Sequence, residues 1–202
     1  MPDYSYESAA KNCGFKLICG VDEAGRGPLA GPVCAAAVIL PEGLEIEGLN
    51  DSKKLSEKKR EALYDIIIEK AIDYHIAFGS LEEIEEHNIL NATYFAMNRA
   101  INGLKEVDFA LIDGNRIPTD IKVQCATVVK GDAKSMSIAA ASILAKVTRD
   151  RLLLDYDEKY PLYEFAKHKG YGTKLHIDLL KQYGPCEIHR LSFLKNILGD
   201  KK

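Results

Sequence analysis

Four acidic residues stand where a sheet could present them to a substrate. Asp22 and Glu23 close the apolar run Leu17-Ile18-Cys19-Gly20-Val21, Asp113 closes Phe109-Ala110-Leu111-Ile112, and Asp132 follows Lys130-Gly131. Strand ends are where an open sheet displays its catalytic groups. If the first two runs are parallel neighbours, about 4.8 Å apart, Asp22 and Asp113 stand side by side although 91 residues separate them. Two carboxylates so placed share a proton, hold a cation between them, or point apart; oxygen-only ligands select a hard ion such as Mg2+ or Mn2+ over zinc. Neighbours in an extended strand face opposite sides, so Glu23 joins the same place only if the Gly25-Arg26-Gly27 turn brings it round. A single acid after a strand is commonly a turn former or a helix cap, and Asp132 alone reads as the cap of the helix that follows it. Three acids after apolar strands, beside a Gly-Arg-Gly turn, point instead to a shared site.

The glycine turn excludes two familiar readings. Gly20 to Gly27 has the glycines of a phosphate loop without the Lys-Ser/Thr that should follow, and Gly25 to Ala30 has a loose dinucleotide spacing, yet Pro32 and a β-rich run follow where that motif requires a helix. Backbone N–H groups bared by glycine, together with the Arg26 guanidinium, suit close approach of a sugar or phosphate. Tyr171, between two glycines and near Lys167, Lys169 and Lys174, either exposes its ring for stacking on a sugar or base or is simply packed. His75, His87, His168, His176 and His189 show no ligand spacing and read as structural or surface residues. No nucleophile elbow is present, so covalent catalysis is not indicated.

The elements that must position these residues follow from apolar periodicity. Strands are predicted over Leu17–Val21, Gly31–Leu40, Asp73–Ser80, Phe109–Ile112 and Ile121–Val129, and helices from Ser56, from Leu81 to about Gly103 in one or two pieces, and from Ser137 to about Tyr156. Pro161 ends that region, and a short helix up to Gln182 belongs to a small helical appendix. The 202 residues, 47% hydrophobic and 28% charged, suffice for one sizeable core. The longest apolar run, Val33 to Leu40, is far short of the ~20 residues of a membrane span. Five widely spaced cysteines, with Cys19 and Cys34 inside strand-like runs, read as reduced, buried thiols of a cytosolic protein. Charge is uneven: residues 1–129 hold 13 Lys+Arg against 21 Asp+Glu, a balance of −8, and residues 130–202 hold 14 against 9, a balance of +5, so one part could face a polyanion.

Gly20-Val-Asp-Glu-Ala-Gly-Arg-Gly-Pro-Leu-Ala-Gly-Pro-Val33 resembles the signature of ribonuclease HII, and the similarity continues through Asp51-Ser-Lys-Lys-Leu55, Leu111-Ile-Asp-Gly114, Lys130-Gly-Asp132, Ser137–Asp150 and His168-Lys-Gly-Tyr-Gly-Thr-Lys174. The resemblance implies a ribonuclease H-like α/β fold, a mixed five-stranded sheet flanked by helices, with a catalytic domain over residues 1–160 and a C-terminal helical extension over 161–202. It implies endonucleolytic cleavage of RNA paired with DNA, and nicking at single ribonucleotides in duplex DNA, giving 5′-phosphate and 3′-hydroxyl ends. Carried over residue by residue, the family's catalytic and metal-binding acids fall on Asp22, Glu23, Asp113 and Asp132, and its ribose-reading elements on Gly25, Arg26, Gly27 and Tyr171. Lys53 is placed as a phosphate contact, with Lys174 and Arg149 as weaker ones; Arg149, inside a helix, could instead be an ion-pair partner. The implied mechanism is hydrolysis assisted by two Mg2+ or Mn2+ ions bridged by one carboxylate, for which Asp22 is the choice. A 2′-hydroxyl is the group by which RNA differs from DNA at a fixed position.

Two rivals remain on the sequence alone: a resolvase-like metal nuclease of the same fold, which needs no ribose reader, and a non-catalytic nucleic-acid binding module, for which an acidic cluster near phosphates would be a liability. The expected partner is an RNA–DNA hybrid or ribonucleotide-containing duplex, bound by a monomeric, cytoplasmic protein without membrane contact. In the tail Leu198–Lys202 no sliding-clamp peptide is identified, which leaves a replication or repair partner open.

Overall fold

The structure, a computed structural model, describes residues 1–199; the last three residues of the tail considered above lie outside the described residues. In chain order the elements are α1 (Ser5–Asn12), β1 (Ile18–Ala24), β2 (Val33–Ile39), α2 (Glu57–Lys70), β3 (Asp73–Gly79), α3 (Leu81–Asn102), β4 (Phe109–Asp113), β5 (Gln124–Val128), α4 (Met136–Lys159), α5 (Phe165–His168), α6 (Lys174–Tyr183) and α7 (Leu191–Leu198). The five strands form one mixed sheet in the order β3-β2-β1-β4-β5, with β1, β4 and β5 mutually parallel and β2 antiparallel to both β1 and β3. This is the mixed, helix-flanked sheet implied by the resemblance. Among the described residues no helix is long and apolar enough to cross a membrane.

Both faces of the sheet are covered, and strand alternation divides the core accordingly. Cys34, Ala36 and Val38 of β2 face α4 and α2, whereas Ala35, Ala37 and Ile39 face α3. The two helices sit unusually close because the facing residues are small. A Cβ on Gly20 of β1 would lie 2.1 Å from the carbonyl carbon of Ser137 and 2.2 Å from the amide of Ile138, so the first turn of α4 rests on bare backbone. Ile138, Ala139, Ala140 and Ala141 follow, all fully buried. Gly79 plays the same part for α3, whose Ala92 carbonyl would stand 2.4 Å from a Cβ there.

Several element boundaries differ from those predicted. β1 does not stop at Val21 but runs to Ala24, because β2 continues the ladder through Asp22↔Ala36, Glu23↔Ala35 and Ala24↔Cys34. β5 is shorter than Ile121–Val129; Ile121 and Val123 pack against the α3-side core without pairing. Helix α3 is indeed two pieces: Asn88, at φ 66°, breaks it, and its side chain accepts from the amides of Leu90 and Asn91 as a fresh cap. Ser135, not Asp132, caps α4, its hydroxyl accepting from the amide of Ile138. Helix α1 has no counterpart in the prediction. It is tied down by Glu7, buried, whose Oε1 accepts from the hydroxyls of Ser135 and Ser137, both at 2.6 Å. The cysteines are all free, but only Cys19 and Cys34 are buried, and Cys13 is exposed.

The close approach of α4 to β1 generates a test. Gly20→Ala should destabilise the protein by about 3 kcal/mol or more, since its methyl meets backbone that cannot rotate aside. Denaturant unfolding measures it; a loss below ~1 kcal/mol would mean that α4 can lift off the sheet at little cost.

Candidate active site

The parallel ladder between β1 and β4 ends at Val21↔Ile112, so the next residues in register are Asp22 and Asp113. Strand register thus places Asp22 and Asp113 on neighbouring strands, near enough that the charge of Asp113 raises the pKa of Asp22. Beyond that point β4 no longer covers β1, and the edge of Asp22 and Glu23 lies open on that side. Asp22 is buried on the α4 face, its Oδ1 accepting from the amide of Glu23 at 2.7 Å, with Ser142 of α4 near enough to act against the rise in its pKa. Glu23 stays on the opposite face: the glycine turn does not bring it round, because β1 is still extended there. It lines a small cleft of about 170 Å3 with Thr93, Tyr94 and Met97 of α3, and with Asp113. Asp113 Oδ1 accepts from the amide of Gly131 at 2.6 Å, which draws in the 3-10 turn Gly131–Ala133 and with it Asp132. The four predicted acids therefore border one region, from β1, β4 and the turn before α4.

Their electrostatics show strain. Burial first, then the charges of Glu23 and Asp113, raise the pKa of Asp22 well above the ordinary carboxylate range. Glu23 is raised by burial and by Asp113 although Arg26, 3.6 Å away, opposes this. Asp132 is raised by burial and by Asp113 and Asp51, with Lys53 opposing from 3.9 Å. Burial alone would lower Lys53, yet the surrounding carboxylates outweigh it and its pKa is raised. Asp51 and Ser142 escaped the sequence reading. Asp51 is a fifth carboxylate, which adds to the rise in the pKa of Asp132 and accepts at Oδ1 from the amide of Lys53. Ser142 is hydrogen-bonded to the buried Ser52, their hydroxyls 2.9 Å apart. Its place nearly two turns into a helix of small residues looks like mere packing, whereas Asp51 had a signal, since it opens the Asp-Ser-Lys-Lys-Leu segment.

Three basic side chains, Arg26, Lys53 and Lys54, cannot neutralise five acids, and the ligand atoms are all oxygen, so the region fits hard divalent cations. Among the described residues no three His, Cys, Asp or Glu side chains converge enough to cage an ion by themselves. A larger cavity of about 410 Å3 beneath α1 includes none of these acids.

The remaining predicted residues are placed as follows. Gly25 has φ 98°, and a Cβ on it would lie 2.0 Å from Nε of Arg149, while Gly27 faces open space. Among the described residues no carbonyl accepts the N–H of Arg26 or Gly27. Tyr171 lies on the loop before α6, its ring partly exposed, with Lys146 Nζ 5.5 Å and Arg149 Cζ 6.0 Å from the centroid. Lys53 is largely exposed beside Asp132, and Lys174 is exposed at the start of α6. Arg149 is neither a phosphate contact nor an ion-pair partner. It is fully buried and donates to the carbonyls of Ala30, Pro32 and Lys169 at 2.9–3.1 Å. The structural reading of His168, His176 and His189 agrees with their burial and hydrogen bonding.

The family model described as Ribonuclease HII matches residues 19–196. Ribonuclease HII of Acetivibrio thermocellus is 59% identical over 194 residues, covering 96% of this chain and 75% of that protein. Among solved structures, ribonuclease H2 from Pyrococcus horikoshii OT3 superposes with a TM-score of 0.75 at 30% identity, over 91% of this chain and 97% of that one. Bst-RNase HIII in complex with Mn2+ superposes at 0.69 over 83% of this chain and 63% of that one; at 16% identity it shows the fold alone. Agreement at this level through nearly every element of the sheet and its helices means that the chain belongs to the ribonuclease HII family, whose members are metal-dependent endonucleolytic hydrolases.

Proposed function

We propose that this enzyme cuts the RNA strand of RNA–DNA hybrids and nicks duplex DNA on the 5′ side of a single embedded ribonucleotide, leaving 5′-phosphate and 3′-hydroxyl ends. The observation that carries the reading is the cluster of acids at the end of β1 and β4 beside a glycine turn with unused N–H donors. A polyanionic substrate cannot approach so many carboxylates unless cations intervene. Asp22, Glu23, Asp113 and Asp132 would hold two Mg2+ or Mn2+ ions, with Asp22 in the shared position. Bound there, the ions would activate a water and neutralise charge on the departing 3′-oxygen.

The chain's own groups do the rest. Lys53, beside Asp132, is offered to a substrate phosphate, and Lys174 is a more distant candidate for the same strand. The free N–H groups of Arg26 and Gly27 are donors for a ribose 2′-hydroxyl, and a side chain at Gly27 would occupy the space the sugar needs. The Tyr171 ring, with Lys146 and Arg149 beside it, is exposed enough to stack on the neighbouring sugar. All these residues come from one chain, so a monomer suffices.

A duplex with one ribonucleotide should be nicked beside it in Mg2+ or Mn2+ and left intact by excess chelator, while the all-DNA duplex stays whole; equal cutting of both would favour a resolvase-like enzyme, and binding without cutting a passive module. Asp22→Asn should lower cleavage roughly a thousandfold or more, as loss of several kcal/mol of charge stabilisation requires. It should also stabilise the metal-free protein. A carboxyl whose folded pKa is raised weakens the fold as pH climbs from its unfolded pKa through the folded one, and the amide removes that penalty. Thermal melts without and with divalent ion check this, and a lower Tm for the metal-free variant would contradict it. Tyr171→Phe should keep activity within a few-fold, whereas Tyr171→Ala should lose ten- to a hundredfold, the equivalent of ~1–3 kcal/mol of stacking. Equal loss in both would move the role to the hydroxyl.

A further inference from the structure

The C-terminal segment Cys186–Arg190 touches both halves of the proposed ribose reader. Arg190 is fully buried, and among the described residues it has no carboxylate at ion-pair distance. Its guanidinium spends its donors on four carbonyls of one loop: Nη2 to Gly25 at 2.6 Å, Nη1 to Arg26 at 3.0 Å and to Pro28 at 2.9 Å, and Nε to Gly31 at 2.9 Å. Stripping water from a guanidinium costs several kcal/mol, so a buried one is kept only where its full fork of donors is used. With the carbonyls of Gly25 and Arg26 turned inward to Arg190, the N–H groups of Arg26 and Gly27 are left without a protein acceptor. The backbone completes the clasp, the amide of Arg190 donating to Leu29 and that of Gly31 to Ile188.

The preceding residue reaches the other half. His189 accepts the amide of Cys186 at Nδ1, so its proton sits on Nε2 and is donated to Nε2 of His176, 3.0 Å away. His176 in turn donates from Nδ1 to the Tyr171 carbonyl at 3.0 Å. Burial draws both imidazoles down to about 4, so the relay is neutral and keeps these tautomers at neutral pH. His168, stacked on His176, accepts the amide of Gly170, whose carbonyl receives the amide of Leu29 and so joins the two halves.

We propose that His189 and Arg190 are positioning residues for substrate recognition, one dipeptide that sets the Gly25–Gly27 turn and Tyr171 at a fixed separation so that both meet the same ribose step. Neither touches substrate, and discrimination for ribose depends on the C-terminal extension as much as on the sheet. This rests on the ribose-reading role of the turn and Tyr171.

The test uses the full-length enzyme, a duplex with one ribonucleotide as substrate and the matching all-DNA duplex as competitive inhibitor. Arg190→Lys keeps the charge but not the fork. Its kcat/KM for the ribonucleotide substrate should fall about tenfold or more, the effect of one misaimed hydrogen bond to a charged or strongly polar site. The inhibition constant of the all-DNA duplex and the divalent-ion dependence should stay within twofold. His189→Phe, which keeps a ring but donates nothing, should shift the same ratio, and Tyr171→Ala should cost less in either background than alone. A folded variant with unchanged preference for ribose, or one that loses kcat/KM and all-DNA affinity by the same factor, overturns the proposal. If the wild-type enzyme itself does not distinguish the two duplexes, the ribose reading has failed first. Amide hydrogen exchange on the wild-type protein needs no variant: the hydrogen-bonded amides of Leu29 and Gly31 should open together with those of His189 and Arg190, and independent opening overturns the brace.

Discussion

Like charges held together away from water set the terms for the rest of this molecule. Asp22 is buried next to Glu23 and Asp113, and Asp132 next to Asp51 and Asp113, so the end of β1 and β4 holds more negative charge than Arg26, Lys53 and Lys54 can balance. A polypeptide would relieve such repulsion by moving the groups apart. It cannot do so here, because each is fixed by backbone that the core has already placed: Asp22 by a strand paired with β2, Asp113 by the β4–β5 ladder, and Asp132 by a turn whose Gly131 amide is bound to Asp113. The close packing of α4 on Gly20 helps to hold that backbone in place. Stability and chemistry are therefore opposed at this site, and a divalent ion would relieve the conflict.

A second charge problem is solved in the opposite manner. Arg149 and Arg190 are cations in the interior, and among the described residues neither has a carboxylate at ion-pair distance; each donates to backbone carbonyls instead. Ion pairing would leave the loop 25–32 free to choose its own conformation. Carbonyl coordination dictates it, because the fork has fixed directions and the loop must bend to meet them. The glycine at 25 is required by the same contact: its φ of 98° and the Arg149 side chain at 2.0 Å from a would-be Cβ leave no alternative.

Much of this was legible in the sequence, for identifiable reasons. Apolar runs closed by acids gave the parallel pair β1 and β4, since strand period and termination are local signals. Asp22 and Asp113 could be brought together because parallel register is simple arithmetic. The face of Glu23 was not legible, as it depended on how far β2 would extend the ladder. Nor was the cap of α4, where Ser135 and Asp132 are both good capping types and only the 3-10 turn between them decides. Arg149 was misread because sequence shows a charge and not its burial. Helix α1 was invisible because its anchor, Glu7, looks like surface until Ser135 and Ser137 arrive from 130 residues away.

The charge asymmetry along the chain illustrates how composition can mislead while motif does not. The excess of Lys and Arg after residue 129 suggests a basic face, yet two of those arginines are interior braces and Lys146 is tied to Asp150 at 2.7 Å. The lysine beside the acids, Lys53, comes instead from the acidic first part, carried on the short turn that also supplies Asp51 and Ser52. Long-range attraction of a polyanion is then weaker than the count implies. On the proposed reading, in which the Gly25–Gly27 turn and the Tyr171 ring meet the ribose, selectivity rests on short-range geometry, and the buried guanidinium groups and the neutral imidazole relay hold that geometry where long-range attraction is weak.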